Sequence, residues 1–149
     1  MQCCDPSPIV APSAKAEKYS RVLRIIFYCE LVLVILLFTA LLMTSALFEL
    51  INLFLLYLAY KSYNFCTLII FMFLVMFNLI SAFVLLGNLI QNYDYIGDDI
   101  LSDPYNIYAY TIVGISFIFY LVAIIYAFFA YREFKALLLE QTGGAGAGK

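Results

Sequence analysis

From Val22 to Tyr131 the chain is almost continuously apolar, and one extended polar stretch, Asn92–Asn106, divides it. A membrane-spanning helix needs roughly 20 predominantly apolar residues, so this pattern leaves little choice of fold. The dividing stretch, N-Y-D-Y-I-G-D-D-I-L-S-D-P-Y-N, contains Asp94, Asp98, Asp99 and Asp103 and no basic residue, while all 8 Lys and Arg lie elsewhere. Basic residues collect on the cytosolic side of membranes. The expected fold is therefore an all-α integral membrane four-helix bundle, with cytosolic N- and C-termini and the acidic loop lumenal or extracellular.

Composition agrees with that class. With 66% hydrophobic and 12% charged residues, the chain is far from the soluble average of about 25% charged. Four spans use most of its length, which leaves one membrane domain and no separate soluble one. Histidine and tryptophan are absent. Losing histidine removes the commonest metal ligand and the commonest general acid or base, so neither a cofactor nor an enzymatic activity is expected. Of the four cysteines, Cys3 and Cys4 fall in the N-terminal tail, and Cys29 and Cys66 lie near the cytosolic helix ends. None reaches the oxidising side, which argues against a structural disulfide.

The expected organisation runs as follows. Residues 1–21 form a flexible cytosolic tail with Pro6, Pro8 and Pro12. Residues 22–131 hold the spans, at about Val22–Met43, Ala46–Tyr60, Phe65–Gln91 and Ile107–Tyr131. Residues 132–149 form an amphipathic segment, with Phe134, Leu137 and Leu138 against the leaflet, and a Gly-rich tail. The first two spans are separated only by Thr44 and Ser45. One helix from Val22 to Tyr60 would be about 58 Å long, about twice the hydrocarbon thickness, so a tight hairpin is expected there. Tyrosines cluster at the boundaries: Tyr57, Tyr60, Tyr63, Tyr126 and Tyr131 on one side, and Tyr93, Tyr95, Tyr105, Tyr108 and Tyr110 on the other. Rings with a wet hydroxyl are most stable at headgroup level.

Polar groups inside the spans are the candidate chemistry. Glu30 sits inside the first helix, where a carboxylate costs a few kcal/mol on insertion scales. With a turn near Ser45 it lies level with Tyr60, so Lys61 is the expected ion-pair partner at the interface; the other reading is a proton-coupling or substrate-binding acid. Glu49, Asn78 and Tyr120 fall at one depth on three helices, with Asn52 and Ser81 one turn on from the first two and Thr39 nearby. An interhelical hydrogen-bond cluster is the economical reading, and a transport pocket the alternative. Adjacent Cys3 and Cys4 beside a basic segment suggest S-palmitoylation.

The exit of the last helix, A-F-F-A-Y-R-E-F-K-A-L-L-L-E, together with the four-span layout, short tails and modest second outer loop, resembles the small vesicle and Golgi tetraspans of the MARVEL type and the COPI-associated proteins. That resemblance implies residence in the endomembrane system, or at the plasma membrane, and a non-enzymatic role in vesicle trafficking or membrane organisation. Partners would be the lipid bilayer and other membrane proteins or further copies of the chain; nucleic acid is not expected. Two rivals stand beside it: a small proton- or ion-coupled transporter using Glu30 or Glu49, and an accessory subunit of a larger membrane complex.

Overall fold

A computed structural model describes residues 13–91 and 103–144. Four helices follow one another: α1 (Ala14–Thr39), α2 (Met43–Ser62), α3 (Phe65–Gln91) and α4 (Pro104–Gly144). Each contains a segment long and apolar enough to cross a membrane, and no strand occurs among the described residues. Packing runs round the ring, α1 on α2, α2 on α3, α3 on α4 and α4 on α1. The result is an up-down-up-down bundle with one interior, a membrane-spanning four-helix fold.

Spacing along each helix explains the ring. From Tyr120 onward the buried residues of α4 are Tyr120, Ala123, Ala127, Ala130, Phe134 and Leu137, alternating steps of three and four that keep one seam turned inward. Ser20, Leu23, Ile26, Glu30, Leu33 and Leu37 also follow steps of three and four on α1, as do Ala46, Glu49, Leu53 and Leu56 on α2. Alanine recurs at these seams. Small side chains let helix backbones approach closely where no hydrophobic effect drives association. The outward faces are Ile, Leu, Val and Phe, as hydrocarbon requires.

The first hairpin turns earlier than Thr44 and Ser45. Leu41 N–H donates to Phe38 O at 3.1 Å and Leu42 N–H to Leu37 O at 3.0 Å, closing α1 with Leu41 at φ 53°. These two bonds satisfy the last carbonyls of α1 in the pattern usually built on glycine. Thr44 and Ser45 then lie in the first turn of α2. The carbonyl of Ala40, left over at the turn, accepts from Tyr105 Oη, and Thr39 Oγ1 lies 2.8 Å from Tyr108 Oη. Two tyrosines expected in an interfacial belt thus also pin the start of α4 to the α1–α2 turn.

The second hairpin needs only Tyr63 and Asn64. Tyr63 takes the left-handed conformation at φ 50°, and Asn64 Oδ1 caps α3 by accepting from Cys66 N–H at 2.9 Å and Thr67 N–H at 3.3 Å. At α4, Asp103 Oδ1 accepts from Tyr105 N–H at 3.0 Å, with Pro104 preset for the first helical position.

Past Tyr131 the fourth helix does not turn aside. Its 41 residues span about 60 Å at 1.5 Å per residue, about twice the hydrocarbon thickness. Phe134 and Leu137, the stripe expected on the leaflet, are buried in the bundle core with Ala16 and Leu23. The Phe134 ring meets Tyr63 edge-on at 5.3 Å. These residues continue the α4 seam, so the same close packing that builds the bundle carries it beyond the membrane-spanning part.

Candidate functional site

The bundle has two unlike ends. Lys15, Lys18, Arg21 and Arg24 on α1, Lys61 at the end of α2, and Arg132 and Lys135 on α4 share one end, here the basic end. The α1–α2 turn and the start of α4 share the other, the turn end. Asp103 is at the turn end; residues 92–102 of the acidic stretch, with Asp94, Asp98 and Asp99, lie outside the described residues, as do Cys3 and Cys4.

Between the ends the four helices bring a set of polar side chains into the core. Glu49 and Asn52 project from α2, one turn apart on its buried seam, and both are almost fully buried. From α3, Asn78 Nδ2 donates to Glu49 Oε1 at 2.8 Å. From α4, Tyr120 Oη donates to the same oxygen, and Ser116, one turn away, is buried with its hydroxyl on the Ile112 carbonyl at 2.8 Å. Ser81 is exposed, and its hydroxyl donates to Phe77 O at 3.1 Å rather than to the cluster.

Glu30 completes the set from α1. Its carboxyl faces Glu49, and the residue is only 1% exposed. Among the described residues neither of its oxygens has a hydrogen-bond partner, nor do Glu49 Oε2 or either terminal atom of Asn52. Lys61 is elsewhere: its Nζ donates to Tyr57 Oη at 2.8 Å and lies over that ring at 5.1 Å from the centroid. No Glu30–Lys61 ion pair forms, and register is the reason. Moving the turn from Ser45 to Leu41–Leu42 shifts the residue opposite Glu30 by about two helical turns, from Tyr60 to the neighbourhood of Asn52. Ser20 reports the same register, its Oγ donating to Tyr60 O at 3.0 Å.

A cleft of about 40 Å³ leads to Glu49, with room for at least one water-sized group. Glu49, Asn78, Ser116 and Tyr120 line its depth, and Ser45 and Ser81 its exposed rim. Ser45 is in the first turn of α2 and Leu85 and Val113 also line the cleft, so it runs toward the turn end. On the other side of the cluster, Leu23, Leu56, Leu68, Phe71 and Phe134 are fully buried and close the core toward the basic end.

A second concavity lies on the outside of the bundle. Ile69, Met72, Phe73 and Met76 of α3 and Ile124, Ile125, Phe128 and Phe129 of α4 bound a groove of about 600 Å³ with wholly apolar walls. Among the described residues no group of three or more His, Cys, Asp or Glu is placed to hold a metal ion.

Comparison with protein-family models, curated proteins and solved structures finds no match.

The polar cluster was visible in the sequence as a shared depth on three helices. Glu30's membership was not, because it depends on where the first hairpin turns. The α3–α4 groove had no sequence signal either, since its walls are the same residue types that face lipid everywhere else.

Proposed function

We propose that this multi-pass membrane protein is a non-enzymatic tetraspan of the endomembrane system that organises membrane by holding lipid chains against its flank, in the setting of vesicle trafficking. One observation carries the reading, the α3–α4 groove. Its lining is large and apolar, with two flexible methionines that repack around irregular guests. It lacks the small residues that let a partner helix approach closely, so an acyl chain is the occupant it suits. The basic end, by the positive-inside tendency, faces the cytosol, and the layout and the A-Y-R-E-F-K exit of α4 resemble the MARVEL-type and COPI-associated proteins.

The test is photo-crosslinking with a phospholipid that bears a photoreactive acyl chain, on protein kept in native membranes. Label should concentrate on Phe73, Met76 and Phe128, and Ile124→Trp, which fills the groove, should reduce it. Even labelling round the whole perimeter would refute the lipid-holding role, and a tagged protein confined to the plasma membrane would refute the endomembrane setting.

The second reading, a small proton- or ion-coupled transporter, is favoured by the meeting of Glu30 and Glu49 in the core. Against it stands the closed packing toward the basic end, since transport needs access from both sides. A pH-dependent flux in reconstituted vesicles, abolished by Glu49→Gln, would establish it.

A further inference from the structure

We propose that Glu30 and Glu49 together form a binding site for one exchangeable proton, reached from the turn end through the cleft rimmed by Ser45 and Ser81. The inference does not depend on the lipid groove. It starts from the unmet hydrogen-bonding capacity of five buried atoms. Both Glu30 oxygens, Glu49 Oε2 and Asn52 Oδ1 are acceptors without a donor, and Asn52 Nδ2 is the one donor among the five. An ionised carboxylate can only accept. Four acceptor oxygens and the two N–H groups of one amide nitrogen do not satisfy one another, and leaving buried polar atoms unmet costs about 1–3 kcal/mol each.

A proton changes that count. Placed on Glu30, it supplies an O–H for Glu49 Oε2 or Asn52 Oδ1 and leaves the other Glu30 oxygen to accept from Asn52 Nδ2. Glu49 then keeps its charge against two donors, Asn78 Nδ2 and Tyr120 Oη. Like charges cannot both persist at contact in an apolar interior, and paired carboxyls elsewhere meet this by sharing a proton. The titratable groups facing the pair are Glu30 on α1, Glu49 on α2 and Tyr120 on α4; α3 supplies the neutral Asn78, and among the described residues no basic side chain neighbours either acid. A metal ion is disfavoured because two donors already occupy Glu49 Oε1 and the described residues hold no group of three acidic or soft ligands.

Access is one-sided. Glu49 lines the cleft and Glu30 does not, so a proton arriving from the turn end meets Glu49 first and is shared with Glu30 behind it. Loading both acids would leave Asn78 and Tyr120 bonded to a neutral acid, and hydrogen bonds to neutral acceptors are about half as strong as those to charged ones. The contacts of α2 with α3 and α4 therefore loosen as the turn-end compartment acidifies.

Dicyclohexylcarbodiimide, which attacks carboxyl groups that carry a proton in apolar surroundings, is the probe. With purified protein in mild detergent and peptide mapping by mass spectrometry, label is expected at Glu30 or Glu49, falling about tenfold per pH unit beyond the midpoint of the pair. Glu30→Gln should shift the pH dependence of labelling at Glu49, with gel filtration and circular dichroism checking that the variant is folded. Should that variant misfold, wild-type difference infrared spectra serve instead, where a carboxylic C=O band that shifts in D2O is expected. In oriented vesicles the labelling should follow pH at the turn end. No label and no such band over the pH range in which the protein is folded would overturn the proposal. So would labelling that follows pH at the basic end, or protection by sodium, magnesium or calcium at constant pH, which would assign the site to a metal ion.

Discussion

Tyr120→Phe removes one hydroxyl from the bundle interior and nothing else, and its effect follows from how Glu49 is served. Glu49 Oε1 accepts from both Tyr120 Oη and Asn78 Nδ2, so the single variant leaves that oxygen with one donor. Interhelical hydrogen bonds in membranes average about 0.6 kcal/mol and reach about 1.7, and Tyr120→Phe should cost an amount in that range. Asn78→Leu should cost about the same, for the same reason. The double variant leaves a buried acceptor with no donor, a further penalty of about 1–3 kcal/mol. Its cost should thus exceed the sum of the single costs by at least about 1 kcal/mol, where independent sites add to within about 0.5. Unfolding by denaturing detergent in mixed micelles measures all four proteins of the cycle. Additive losses, or a Tyr120→Phe protein as stable as wild type, would refute the claim that the two residues act through one oxygen of Glu49.

Other expectations follow from the turns, the helix extension and the tails. Leu41 holds φ 53° on an exposed turn, a conformation that costs a residue with a Cβ about 1–2 kcal/mol, so Leu41→Gly should raise stability by about 1 kcal/mol in the same titration. The register places Ser20 beside Tyr60, so cysteines at these two positions should cross-link with a short reagent while cysteines replacing Glu30 and Lys61 should not; the reverse result would restore the later turn. Phe134 is wholly buried, and Phe134→Ala, by analogy with core truncations costing about 3–5 kcal/mol, should free the end of α4 so that protease cuts just after Tyr131 without releasing the protein from membranes. If Cys3 and Cys4 are acylated, hydroxylamine-sensitive exchange should label them, and changing both to Ser should move the protein between compartments while it stays membrane-bound.

Much of the fold was readable from the chain because the bilayer imposes simple rules. The apolar run at 65–91 became a helix with the limits expected, while the fourth helix began at Pro104, three residues before the expected Ile107. The turn at Leu41–Leu42 was not readable. Neither leucine is a turn former, and Thr44 with Ser45 offered a better local signal. The turn is held from a distance, by Tyr105 on the Ala40 carbonyl and Tyr108 beside Thr39, 65 and more residues away in sequence. In the same way, R-E-F-K-A-L-L-L-E carries an apolar stripe that suits a leaflet as well as it suits a bundle. Only the presence of Tyr63 and Ala16 alongside decides for the bundle.

What the sequence by itself determined is therefore the solvent and the count: four apolar runs, one acidic break, and basic residues confined to the two tails and the break after the second run make a four-span membrane protein with unlike ends. It also placed Glu49, Asn78 and Tyr120 at one depth, because depth is residues times rise along helices whose ends are marked. The tertiary structure alone decided which faces meet. A shift of about four residues in one turn moves the opposite strand of the hairpin by about two helical turns, and that shift takes Glu30 away from Lys61 and sets it against Glu49. A carboxyl with a basic partner at an interface is an anchor. The same carboxyl facing another acid in a closed core is a place for a proton, and no local pattern in the chain distinguishes the two.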